Sequence, residues 1–276
     1  MVRKYLLKNN RAVAGVVEAV LLIALVAVII SMIQVIYIPQ IMEQRESDHM
    51  DKVANQFSHL KSVIDLQAMM EVNNPISTTI TLGSPEIPYF VTARAFGQIN
   101  IFDDTGYIRV DNGSFNQSIC DLTSVKFQSH NSYFLDQSYI IEGGSLIVNQ
   151  SNGETVMVKP SLSVENFTDE INIRYTIPVI SSMEGKNSTS GYKTCSVRTN
   201  YSHSDPNWIE VINVSRINIS TKHSSAWYDI AKNILENNVN IDKNKDCVKI
   251  TKDIKEINFY YKRAYIYGQI SPGWIT

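Results

Sequence analysis

Cysteine is scarce in this chain. Cys120, Cys195 and Cys247 lie far apart in the later half, with no CxxC pair and no histidine at a zinc-ligand spacing. Three thiols permit one disulfide plus one free thiol, or three buried thiols; burial as small apolar side chains is the expectation. Positive charge is lacking beyond the front. Arg3, Lys4, Lys8 and Arg11 give the first twelve residues +4, leaving 21 basic against 27 acidic residues, a body of −6. With no basic aromatic stripe either, nucleic acid is not an expected partner. Catalytic patterns are missing as well: no HExxH, no GxSxG, no phosphate loop and no Gly-rich fingerprint after a strand. His49 and His59 are expected to be solvated on a helix, and His130, His203 and His223 isolated in polar loops. Asp103-Asp104 reads as part of a hairpin turn rather than a metal pair, since the calcium-loop pattern is absent. No enzyme, cofactor or metal is expected. The chain also lacks internal repeats, a low-complexity tail and a second long apolar run.

One such run is present. From Ala12 to Ile38 the strongly polar side chains are Glu18, Ser31 and Gln34 alone. As a helix at ~1.5 Å per residue this stretch reaches roughly 40 Å, more than the ~30 Å of a hydrocarbon core. A cleaved secretory signal would be shorter and end in a small-residue cut site. Here the run continues into SMIQVIYIPQIMEQ. With cations on the N-terminal flank and MEQRESDHMD on the other, the N-terminus is expected inside, the body outside, and membrane lipid is an expected partner. Glu18 is costly in that setting, by about 2.5–3.5 kcal/mol at mid-bilayer, and a carboxylate there calls for hydrated headgroups or a cationic partner. Pro39 removes the helical partner of the Val35 carbonyl, so a kink or break is expected. Beyond it Met50, Val53, Phe57, Leu60 and Ile64 form a narrow apolar seam that docks onto the protein's own sheet, while Asp51, Lys52, Gln56, Lys61 and Asp65 occupy the other faces.

RAVAGVVEAVLLIALVAVI resembles the class III signal of archaeal type IV pilin-like proteins. In that family a prepilin peptidase cuts on the cytoplasmic side, before the apolar helix, after a basic residue followed by a small one. The matching pair is Arg11-Ala12, which would make Val13 the new N-terminus. In related bacterial pilins an early helix glutamate neutralises the terminal amine of a neighbouring subunit, and the resemblance gives that role to Glu18. An ammonium and a carboxylate leaving water are far cheaper together than apart. The implied partners are the prepilin peptidase and copies of the chain itself or other pilin-like subunits.

After VNNPIS, short β-branched runs alternate with turn signals. Asp104-Thr105-Gly106 and Asn112-Gly113 suit tight turns. In QSYIIEGGSLIVNQSNGETVMVKP, Gly143-Gly144 and Asn152-Gly153 separate three strands of a meander. WIEVINVSRINIS alternates as one strand, SSAWYDIAKNILENN reads as a helix with Trp227, Ile230, Ile234 and Leu235 on one face, and CVKITK and INFYYKRAYIYGQI are the last strands. The expected fold class is α+β: a long N-terminal hydrophobic helix, then a mainly antiparallel β-rich domain with one short C-terminal helix. The expected organisation is a leader (1–12), a transmembrane and assembly helix (13–38), an amphipathic stalk helix (39–72) and an extracellular β-rich domain (73–276). ISTTITLGSPEIPYF, ARAFGQINI, YIIEGGSLIVNQ, VMVKPSLSVEN, SSAWYDIAK and ISPGWIT resemble segments of pilin-like surface proteins of methanogenic archaea. That group is defined by architecture, so the blocks imply a shared outer fold and no chemical activity.

Asn112, Asn116, Asn149, Asn166, Asn187, Asn200, Asn213 and Asn218 each open an N-x-Ser/Thr sequon and are the candidate N-glycosylation sites. The expectation is a structural cell-surface subunit, single-pass, with an anchored adhesion or binding module as the alternative.

Overall fold

The computed structural model describes residues 10–84, 95–113, 116–182, 186–235 and 239–271. Helix α1 (Asn10–Met32) passes through a π-helical turn (Ile33–Tyr37) into α2 (Ile38–Met70). Of the kink or break expected at Pro39, the break does not occur, since α2 runs through it. The Ile38 N–H bonds back to the Ile33 carbonyl, so the ladder is widened by one residue just before the ring that cannot donate. α2 ends at Glu71, in the left-handed conformation, with its N–H on the Gln67 carbonyl.

Fifteen strands follow among the described residues, in two sheets. The first joins β1 (Ile76–Thr81), β10 (Thr194–Ser204), β15 (Glu256–Ser271), β8 (Glu170–Ser182) and β7 (Leu162–Asn166) in that order, with β11 (Ile209–Val211) also on β15. The second runs β13 (Val239–Asn244), β14 (Cys247–Lys252), β12 (Arg216–Thr221), β2 (Phe96–Asp111), β3 (Asn116–His130), β4 (Gln137–Glu142), β5 (Ser145–Gln150), β6 (Gly153–Val158), with β9 (Ser188–Gly191) on β2. Pairing is antiparallel except between β8 and β15. Helix α3 (Ser224–Leu235) precedes β13. The class is α+β, as the sequence leads one to expect.

Two apolar clusters hold the body together. Met50, Val53, Phe57, Leu60 and Ile64 of α2 are all buried against residues of both sheets, including Ile80, Val125, Phe127 and Ile266. Trp227, Ile230 and Leu235 of α3 bury against Ile108, Ile140, Tyr175 and Phe259, with Ile234 at the margin. On β4, Tyr139 and Ile141 face the first cluster and Ile140 the second, so alternation along one strand serves two layers.

The meander forms as expected: Glu142 pairs with Ser145 across Gly143-Gly144, both at positive φ, and Gln150 with Gly153 across the next turn. Two expectations fail. Asp104-Thr105-Gly106 is a bulge inside β2, not a turn. Gly106 is needed there because a Cβ would lie 1.9 Å from the Ser220 carbonyl of neighbouring β12. WIEVINVSRINIS is two strands, not one: β11 belongs to the first sheet and β12 to the second, and Asn213 (φ 52) takes the left-handed turn between them.

Candidate functional site: the exposed apolar helix and the polar sites around the body

Every residue from Ala14 to Tyr37 is exposed, and burial begins at Ile38. Leucine, valine and isoleucine on all sides of a helix leave no polar face for water, and a contiguous apolar surface of this kind marks a contact with lipid or protein. At ~1.5 Å per residue the exposed stretch spans roughly 36 Å, and it is long and apolar enough to cross a membrane. Glu18 sits in a shallow hollow with Ala14, Val17, Leu21, Leu22 and Leu25. No ion pair to Glu18 is present among the described residues. Arg11, Ala12 and Val13 are in the first turn of α1; their side chains, and residues 1–9, lie outside the described residues.

Where that helix meets the body, one carboxylate makes the joint. Glu46 is fully buried and accepts the backbone N–H groups of Ser132 (3.0 Å), Tyr133 (2.7 Å) and Phe134 (2.7 Å). Three amide donors thus satisfy the two oxygens of the buried carboxylate. Sequence reading missed this residue, although extending the α2 seam backwards by fours from Met50 reaches Glu46 and then Met42, both buried. His49 is also buried, contrary to expectation, because it lies beside the seam and packs on Phe127. Its Nε2 donates to the Thr81 carbonyl at 3.0 Å while Nδ1 has no partner, and burial lowers its pKa. Lys61, expected on a wet face, is buried and paired with Asp65, whose carboxyl is pushed up by burial.

A polar cleft of about 280 Å³ lies between the sheets, lined by Asp103, Ser118, Cys120, Asp121, Thr123 and Arg263 among others. Asp205 grips Arg263 through Nε (2.8 Å) and a terminal nitrogen (3.0 Å), and Arg263 Nη1 reaches the Ile119 carbonyl at 3.4 Å. The guanidinium is thus committed to holding the sheets together. Burial pushes the Cys120 thiol up to about 12, so it stays protonated at neutral pH and is no nucleophile. All three cysteines are free. Among the described residues no group of three His, Cys, Asp or Glu can hold a metal ion.

No family model, no curated protein and no solved structure matches this chain. The likeness to archaeal pilin-like proteins stands on the quoted residues alone.

The remaining sites are dispersed. His223, expected to be isolated, is paired with Glu154 (2.7 Å) because the β12–α3 corner packs on β6, and His203 stacks on Tyr265. Glu142 is buried and accepts from Trp227 Nε1 (2.9 Å) and Thr221 Oγ1 (2.7 Å), tying α3 to the meander. Among the sequons, Asn166, Asn187 and Asn213 are exposed, and Asn112, Asn149, Asn200 and Asn218 half-buried. The Asn116 side chain and the Ser114 of the Asn112 sequon lie outside the described residues.

Proposed function

We propose that the protein is a structural, pilin-like cell-surface subunit. The apolar helix anchors it in the membrane with its N-terminus cytoplasmic, and the β-rich body stands outside. A prepilin peptidase removes the leader between Ala12 and Val13, and helices of neighbouring copies, or of other pilin-like subunits, bundle so that Glu18 meets the new terminal amine. The observation carrying this reading is an apolar helix exposed over its whole circumference that bears one carboxylate near its start. An unpartnered carboxylate in lipid is costly, and a neighbour's ammonium removes that cost.

Mass spectrometry of the protein from its native membrane tests the processing: a mature start at Val13 is expected, and retention of Met1 removes that claim. Glu18→Gln tests the assembly. A filament subunit keeps insertion and loses co-assembly, whereas an anchored adhesion module is unaffected or better inserted.

A further inference from the structure

The body lies against α2 in a fixed order. The Glu46 carboxylate holds the amides of Ser132–Phe134, the Tyr139 hydroxyl donates to the Met50 carbonyl at 3.1 Å, and Gly144 faces the Asp65 carboxylate. β4 therefore climbs α2 away from the apolar helix, and the β3–β4 loop, Asn131–Asp136, sits at the end of the body nearest that helix. The loop is closed on itself, with Asn131 N–H on Asp136 Oδ1 (2.7 Å) and Asn131 Nδ2 on the Leu135 carbonyl (2.7 Å). Asn131 is spent within the loop, Ser132 and Asp136 are exposed at its rim, and Tyr133 and Leu135 are 38% and 51% exposed. Beside it, β2 begins at Phe96, paired with His130, and the Phe96 ring meets Tyr192 edge-on at 5.5 Å; Tyr192 is 44% exposed.

Height along the helix decides what these side chains meet. Glu46 lies nine residues beyond Tyr37, about 13 Å at ~1.5 Å per residue. Helical side chains lean back toward the preceding turn by about one residue's rise, which leaves the carboxylate ~12 Å beyond Tyr37. The loop amides lie at about that height, just outside the ~5–8 Å polar layer on each face of a bilayer, so only side chains projecting from the loop can reach it. Tyrosine, with tryptophan, is enriched in that layer.

We propose that the Asn131–Asp136 loop, with Tyr192 beside it, is a membrane seat: Tyr133 and Leu135 enter the headgroup layer of the leaflet from which the apolar helix emerges. This rests on the membrane-anchored reading above. The helix and the loop give two attachments, joined rigidly through Glu46, and the body is held at the bilayer surface instead of swinging on its tether.

The test uses the full chain, one copy per nanodisc, in phosphatidylcholine brominated near the glycerol end of the acyl chain. Tryptophan is placed at three positions in separate variants, each read as the difference from the parent chain, which carries Trp208, Trp227 and Trp274. Val35→Trp reports the apolar helix, Leu135→Trp the loop, and Ile254→Trp the β14–β15 turn, at the end of β2 opposite Phe96. Leu135→Trp and Val35→Trp are expected to lose emission relative to unbrominated discs, with Ile254→Trp unchanged; Tyr133→Trp repeats the loop reading should Leu135→Trp misfold. Loss at Val35 with none at either loop position overturns the seat and leaves the anchored helix standing. No loss at Val35 overturns both. A blue shift of Leu135→Trp emission that appears only with two copies per disc, without bromine-dependent loss, assigns the face to a second copy and overturns the lipid contact.

Discussion

Glu46 accepts the backbone N–H of Phe134 at 2.7 Å across 88 residues of chain, and with Ser132 and Tyr133 it fixes the β3–β4 loop to helix α2. Glu46→Gln keeps the shape but replaces a charged acceptor by one amide oxygen, leaving at least one buried N–H without a partner. A loss of about 1–3 kcal/mol is expected, read as a lower urea midpoint with an unchanged slope. A variant as stable as the parent would remove the clamp.

His49 gives the body an acid-sensitive point. Burial is the main cause of its lowered pKa, with Lys52 adding to it and the Thr81 carbonyl and Glu46 opposing. The unfolded histidine titrates near 6.5, so below that pH the unfolded state binds more protons than the folded one. The neutral ring's contribution is complete above the unfolded value and is lost as pH falls toward the folded one. Urea midpoints taken between about pH 7.5 and 5.5 should fall more steeply for the parent than for His49→Gln. Parallel curves would contradict this.

The thiols should be slow to react in the folded protein. Burial pushes Cys120 and Cys195 up to about 12, and Cys247 is also raised. A chromogenic disulfide reagent should label little at neutral pH in native buffer and all three cysteines in denaturant. Fewer than three after unfolding would show a bridge.

Glycan should follow exposure rather than the tripeptide. Asn218 lies in β12 between β14 and β2, and Asn200 in β10 between β1 and β15; each has a buried Oδ1 without a partner. Peptide mapping of the native protein is expected to place glycan mass on Asn166, Asn187 and Asn213 and none on Asn200 or Asn218. The reverse distribution would mean that modification precedes folding.

What could be read beforehand was local. The α2 seam, the Gly143-Gly144 turn and the Trp227 face of α3 follow from periods of 3.6 and 2 and from residues that tolerate positive φ. Partners distant in sequence erased the rest. Gly106 resembles a turn glycine until β12 is laid beside it, and nothing in WIEVINVSRINIS announces that its halves belong to different sheets. His49 and Lys61 have polar names, so they read as wet, and Glu46 drew no notice, although each is buried on α2. Glu18 was legible as an anomaly because its neighbours are uniformly apolar.

β15, which follows every other described strand in the sequence, is the middle of its sheet, with β10 on one edge and β8 on the other. A nascent chain that has released β8 and β10 therefore carries two unfilled ladders until Glu256–Ser271 leaves the ribosome, and no earlier segment can stand in for it. Stalled or prematurely stopped translation products should be sticky and easily degraded, and the body can complete its folding only once the whole of it has been handed over.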